Sequence, residues 1–83
     1  MQIRVRYFAS LREALGEEAR VDATGLDTVG ALRDHLCASS ATHAQALGRA
    51  RAIRCALDQR LCAEDAPLRD GAEVAFFPPV TGG

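Results

Sequence analysis

The sequence reads as an α+β domain: a mixed five-stranded sheet packed on one main helix, with one or two short helices beside it. Three observations lead there. Apolar and charged residues alternate in short segments near both ends of the chain, the period of half-buried strands. Between them, Val29, Leu32 and Leu36 recur at helical spacing and line one face. The chain has 83 residues, 48% hydrophobic and 25% charged. That is enough for one core and no second domain, since a chain of this size buries only about 60% of its unfolded surface.

Taken in order, Gln2 to Tyr7 alternates with Ile3, Val5 and Tyr7 inward and starts the sheet. Ser10-Leu11-Arg12-Glu13 fits a capping box, with Gly16 as the stop of a short helix. Glu18 to Ala23 supplies the second strand. Thr28 is the expected cap of the main helix. Ser39 to Ala52 is less regular, but Ala44, Ala46, Leu47 and Ala50 suggest a second helical stretch. Ala52 to Leu57 alternates again, with Ile53, Cys55 and Leu57 inward. Asp58-Gln59 then turns into a short strand, Arg60 to Cys62, and Asp70-Gly71 makes another turn. The last strand, Glu73 to Phe77, sets Val74 and Phe76 on one face and Ala75 and Phe77 on the other. Hairpin, helix and three further strands form the β-grasp order, in which the first and last strands lie side by side at the sheet centre.

Composition excludes several classes. Ten basic residues, all Arg, are offset by eleven acids, for a net charge of −1. A nucleic-acid surface needs clustered cations, so nucleic acid is set aside. Cys37, Cys55 and Cys62 form no C-x-x-C pair, stand near no His at metal-ligand spacing and make an odd count; they read as reduced thiols in a cytoplasmic protein, with no metal site. No signal peptide is expected, since no charged and apolar leader pattern is read ahead of the first strand. The longest apolar run, Val74 to Val80, is broken by prolines and falls short of the roughly 20 residues that span a bilayer. His35 and His43 near Ser39 and Ser40 lack a G-x-S-x-G elbow, so no intrinsic catalytic residue is assigned.

The chemistry concentrates in the final residues. Domain 1–77 is followed by a tail, 78–83, that ends in Gly82-Gly83. A terminal glycine enters slots too narrow for other residues. Pro78 and Pro79 fix φ near −65° and lack an N–H, so they end strand pairing and bias the exit to an extended path. Six residues reach at most about 20 Å, enough to thread a deep pocket in another protein. Phe77 and Phe76 beside the exit are expected partner contacts, and Pro78, Pro79, Val80, Thr81 and Gly82 are expected to enter the partner site.

The stretch from Asp70 to Gly83, DGAEVAFFPPVTGG, resembles the C-terminus of the ubiquitin-like sulfur-carrier family, in particular the small subunits of molybdopterin synthases. Length and element order agree over the whole chain, including Leu11-Arg12-Glu13 and Ala56-Leu57-Asp58-Gln59. Asp58 stands where the family often has Asn, and Ser39 to Arg51 resembles little in particular. The resemblance implies a β-grasp, ubiquitin-like fold and a non-catalytic subunit that binds no cofactor. An E1-like partner would consume ATP to adenylate the Gly83 carboxylate, and a sulfurtransferase persulfide would convert it to a thiocarboxylate. Sulfur would then pass to cyclic pyranopterin monophosphate inside the large catalytic subunit of a heterotetramer. Related carriers for thiazole or tRNA thiolation, and ubiquitin-like modifiers of other proteins, share the diglycine. Having no Lys, this chain cannot accept an isopeptide bond on a side-chain amine.

Overall fold

The computed structural model describes residues 1–79. The chain runs β1 (Gln2–Tyr7), α1 (Ser10–Leu15), β2 (Glu18–Asp22), α2 (Val29–Ser39), α3 (Ala41–Leu47), β3 (Arg54–Leu57), β4 (Arg60–Cys62) and β5 (Glu73–Phe77). The five strands form one mixed sheet in the order β2-β1-β5-β3-β4. Only the β1–β5 pair is parallel, and it sits at the centre, as the element order requires. This is the β-grasp arrangement.

Alternation sorts the strands into two faces. Ile3, Val5 and Tyr7 of β1, Val74 and Phe76 of β5 and Cys55 of β3 point to one side, where they are buried with Val29, Leu32 and Leu36 of α2 and Leu47 of α3. Thr28 caps α2 as expected, its hydroxyl accepting the Ala31 N–H at 3.1 Å. Ser40 caps α3 in the same way through the His43 N–H.

Arg33 is the buried charge of this core, 4% exposed. Its guanidinium donates to the carbonyls of Leu47, Gly48 and Arg51, at 2.7, 2.8 and 3.0 Å, and to Glu64 Oε2 at 2.9 Å. One side chain thus ties together three carbonyls at and after the end of α3, two of which, Gly48 and Arg51, also accept backbone N–H groups. Arg49 adds ion pairs to Asp34, at 2.9 Å, and to Glu64. This network organises the segment that resembled nothing in particular.

Two turns fix the register of β5. Asp58 and Gln59 both lie at positive φ, 49° and 69°, in the two-residue hairpin between β3 and β4. Asp58 also braces β5: its N–H donates to the Glu73 carbonyl at 2.8 Å, and its Oδ1 accepts the Glu73 N–H at 3.0 Å. Gly71, at φ 83°, turns the chain so that its N–H reaches the Gln2 carbonyl while Asp70 Oδ1 accepts the Gln2 N–H.

Local expectations fail at three places. The capping box at Ser10 is absent: Ala9 occupies the cap position at φ 55°, so Ser10 already lies inside α1 and its hydroxyl is misplaced for capping. The helical stretch ends at Leu47, leaving Ala50 outside, because Gly48 and the Arg33 contacts draw the chain away toward β3. Strand β3 begins at Arg54 rather than at Ala52, although Ile53 and Leu57 pack half-buried against the core as expected, with Ala56 buried on the opposite face.

Candidate functional site

The site is built around the end of β5. That strand is paired on both sides, through Phe76 opposite Tyr7 on one flank and through Phe77 opposite Arg54 on the other. The Phe8 N–H adds a bond to the Phe76 carbonyl at 3.2 Å. Pro78 and Pro79 then leave the ladder, half-buried and exposed in turn. The exit is therefore anchored in a central strand paired on both sides. Val80, Thr81, Gly82 and Gly83, assigned to the partner site, lie outside the described residues.

The two phenylalanines divide. Phe76 was expected at a partner surface, but it is fully buried beneath the sheet and stacks on Tyr7 with ring centroids 6.5 Å apart. Its side chain belongs to the core and cannot meet a partner in the folded domain. Phe77, one residue on, has the opposite parity and lies half-buried on the open face.

Register shows what surrounds Phe77 there. Arg6, Ala75, Ala56 and Leu61 form one cross-sheet row, and Phe77 and Arg54 form the next, with Phe8 continuing the parity of β1. Leu61 is 70% exposed and Phe8 38%, and they are the exposed large hydrophobics among the described residues. The small side chains of Ala75 and Ala56 leave the space between Phe77 and Leu61 shallow. Arg6 lies over the Phe8 ring, 5.1 Å from its centroid, and Arg4 pairs with Glu18 and Glu73 along the same face. An apolar surface rimmed by guanidinium groups thus runs from the hairpin to the tail exit, a composition suited to protein contact. Sequence reading found Phe77 and missed Phe8 and Leu61. Their signal was an apolar residue at an outward position of each strand.

The serine candidates serve local structure. Ser40 Oγ and His43 Nδ1 do approach, at 2.6 Å, but the same hydroxyl accepts the His43 N–H as a helix cap. Among the described residues no carboxylate bonds to that ring. Ser39 donates to the Leu36 carbonyl and His35 is exposed. Cys37, Cys55 and Cys62 are free thiols. No group of three or more metal-ligating side chains occurs among the described residues, nor any helix long and apolar enough to cross a membrane.

A β-grasp domain whose central strand leads into a Pro-Pro-Val-Thr-Gly-Gly terminus defines the class of ubiquitin-like carriers. Residues 5–83 match the ThiS family, and the chain belongs to it. It is 48% identical over 81 residues to the molybdopterin synthase sulfur carrier subunit of Escherichia coli K12, with 98% of this chain and 99% of that one covered. Among solved structures, Haloferax volcanii small archaeal modifier protein 1 superposes with a TM-score of 0.75 at 29% identity, over 95% of this chain and 98% of that one. The complex of subunits 1 and 2 of molybdopterin-converting factor from Helicobacter pylori contains a chain with a TM-score of 0.69 at 25% identity, over the full length of both.

Proposed function

We propose that this chain is the sulfur carrier of a molybdopterin synthase, donating sulfur from a thiocarboxylate at Gly83. The observation that carries the reading is the end of β5: a strand paired with β1 through Phe76 and with β3 through Phe77, followed by Pro78-Pro79 and bordered by the apolar open face. Such an exit takes the chain out of the sheet at Pro78-Pro79, while Phe77, Phe8 and Leu61 supply the docking surface. The relationship to a named sulfur carrier subunit supports the same role.

The chemistry follows from the reactivity of a carboxylate. It is a poor electrophile, so an E1-like adenylating enzyme would use ATP to convert the Gly83 carboxylate into an acyl adenylate. A sulfurtransferase persulfide would then displace AMP to form an acyl disulfide, and a second thiol would attack the sulfurtransferase sulfur of that bond, forming a disulfide and releasing the thiocarboxylate, whose sulfur, unlike the original oxygen, is a good nucleophile. Attack on cyclic pyranopterin monophosphate would occur in the large catalytic subunit, followed by hydrolysis that restores Gly83. A dithiolene needs two sulfurs and hence two deliveries, in keeping with a heterotetramer of two small and two large subunits. The sequence from Phe76 to Gly83 holds no cation, so the charge that neutralises the buried terminus must come from the partner. The catalytic side chains belong to the partners as well.

The test is mass spectrometry of the chain incubated with an adenylating enzyme, ATP and sulfide. The expected result is exchange of one oxygen for sulfur at Gly83 and none in a chain extended by one alanine. Sulfur loading of the extended chain at an undiminished rate would overturn the reading. A second reading, conjugation to lysines of other proteins, is favoured by the likeness to small archaeal modifier protein 1. It predicts Gly83 remnants on target lysines instead.

A further inference from the structure

The hairpin of β3 and β4 holds a pair of thiols that the sulfur chemistry leaves unused. Cys55 and Cys62 face each other across the antiparallel register, with their Sγ atoms 3.7 Å apart. The Cys62 thiol donates to Cys55 Sγ, and the Cys55 thiol donates to the Cys62 carbonyl at 3.4 Å. The two-residue turn at Asp58-Gln59 fixes this register, since both residues sit in the left-handed region that such hairpins demand. The pair is therefore held together by the fold.

We propose that Cys55 and Cys62 are a redox-active dithiol that low-molecular-weight disulfides oxidise to an intramolecular disulfide, stapling the edge strand β4 to β3. Bond formation requires the sulfurs to close from 3.7 Å to about 2.05 Å, a movement that side-chain rotation supplies. The two thiols are not equivalent. Cys55 is 5% exposed, and burial pushes its thiol up to about 12, whereas Cys62 is only half-buried. Cys62 is accordingly the entry point.

In the first step the Cys62 thiolate attacks one sulfur of the small disulfide and expels one thiolate, leaving a mixed disulfide on Cys62. In the second the Cys55 thiol gives up its proton and attacks Cys62 Sγ, expelling the other thiolate, which takes up that proton. The two protein thiols are oxidised, and the small disulfide is reduced to two thiols. Strand β4 is only three residues long and carries Leu61, the most exposed hydrophobic side chain of the open face. A staple at Cys62 restrains the strand that presents it.

The experiment is incubation of the full chain with glutathione disulfide, followed by alkylation, cleavage after arginine and mass spectrometry. Cleavage after Arg54, Arg60 and Arg69 places the two cysteines on adjacent peptides, 55–60 and 61–69, while Cys37 falls on a third. The expected product links 55–60 to 61–69, leaves Cys37 alkylated, and shows several-fold slower amide exchange in β4. Alkylation of both Cys55 and Cys62, or a stable glutathione adduct on Cys62 of the unmutated chain, overturns the proposal. Cys55→Ala should retain that adduct, because the resolving thiol is gone. If this variant fails to fold, Cys62→Ala should leave Cys55 alkylatable only after unfolding, and a glutathione adduct on Cys55 in the folded variant would contradict the assigned order of attack.

Discussion

Tyr7 and Phe76 stack across the parallel β1–β5 pair, their ring centroids 6.5 Å apart at an interplanar angle of 23°. The contact joins the ends of the two central strands, and it fixes which of the paired phenylalanines faces the core. Because side chains alternate along a strand, burying Phe76 obliges Phe77 to face outward, next to the tail exit.

That division gives the first prediction. Phe76→Ala removes a fully buried ring and should destabilise the domain by about 3–5 kcal/mol, whereas Phe77→Ala should cost only about 1 kcal/mol. Denaturant unfolding of the two variants measures the difference. Equal losses would mean that Phe77 is as much a core residue as its neighbour.

Leu61 supports a second. With 70% of its surface exposed, Leu61→Arg should change stability by no more than about 0.5 kcal/mol. If the open face is the docking surface, the same change should weaken capture by the large subunit at least tenfold, about 1.4 kcal/mol. Calorimetric titration of the folded variant checks both halves. Unchanged affinity would move the interface elsewhere.

A third concerns Arg33. Replacing it with Met keeps much of the side-chain volume but leaves the carbonyls of Leu47, Gly48 and Arg51 without their shared donor and Glu64 without its buried partner. The expected loss is about 3–5 kcal/mol. Arg33→Lys should recover only part of it, because a single ammonium cannot present a planar fork to three carbonyls and a carboxylate. Full recovery with Lys would reduce the network to a point charge.

Much of this architecture was legible because two periods rarely conflict here. Ile3, Val5, Tyr7, Val74 and Phe76 alternate cleanly, and Val29, Leu32 and Leu36 recur at helical spacing, so the sheet, its main helix and their common face follow from the sequence. Ser39 to Arg51 was opaque because its organiser, Arg33, lies outside it and acts through backbone carbonyls, which carry no residue-type signal. The Ser10 capping box matched a pattern, yet the chain took Ala9 through positive φ instead, where the contacts from Phe8 and Ala9 carbonyls to Leu11 and Arg12 start the helix. The outward parity of Phe77 follows from the alternation of β5, but Phe8 and Leu61 emerged only when register put separate strands on one surface. The thiol pair was legible in principle: Cys55 and Cys62 are equidistant from the Asp58-Gln59 turn, and a two-residue hairpin sets such positions opposite each other.

The last prediction concerns alkaline pH. The Tyr7 hydroxyl is buried with no hydrogen-bond partner among the described residues, and desolvation raises its pKa from 10.0 to about 12. The neutral form is thus favoured by folding. Below pH 10 both folded and unfolded chains hold the proton and the full stability is present; between pH 10 and about 12 the unfolded chain releases it first, so stability falls as pH rises. Cys55, raised from 9.0 to about 12 chiefly by burial, acts in the same direction from pH 9 upward. Tyr7→Phe removes the unpartnered hydroxyl while keeping the ring on Phe76; it should leave neutral-pH stability unchanged or slightly raised and make the alkaline decline shallower. The chain has one Tyr and no Trp, so phenolate absorbance reports this residue alone. In the unmutated protein that absorbance should rise together with unfolding, and ionisation near pH 10 in a chain that remains folded would show that the hydroxyl reaches water.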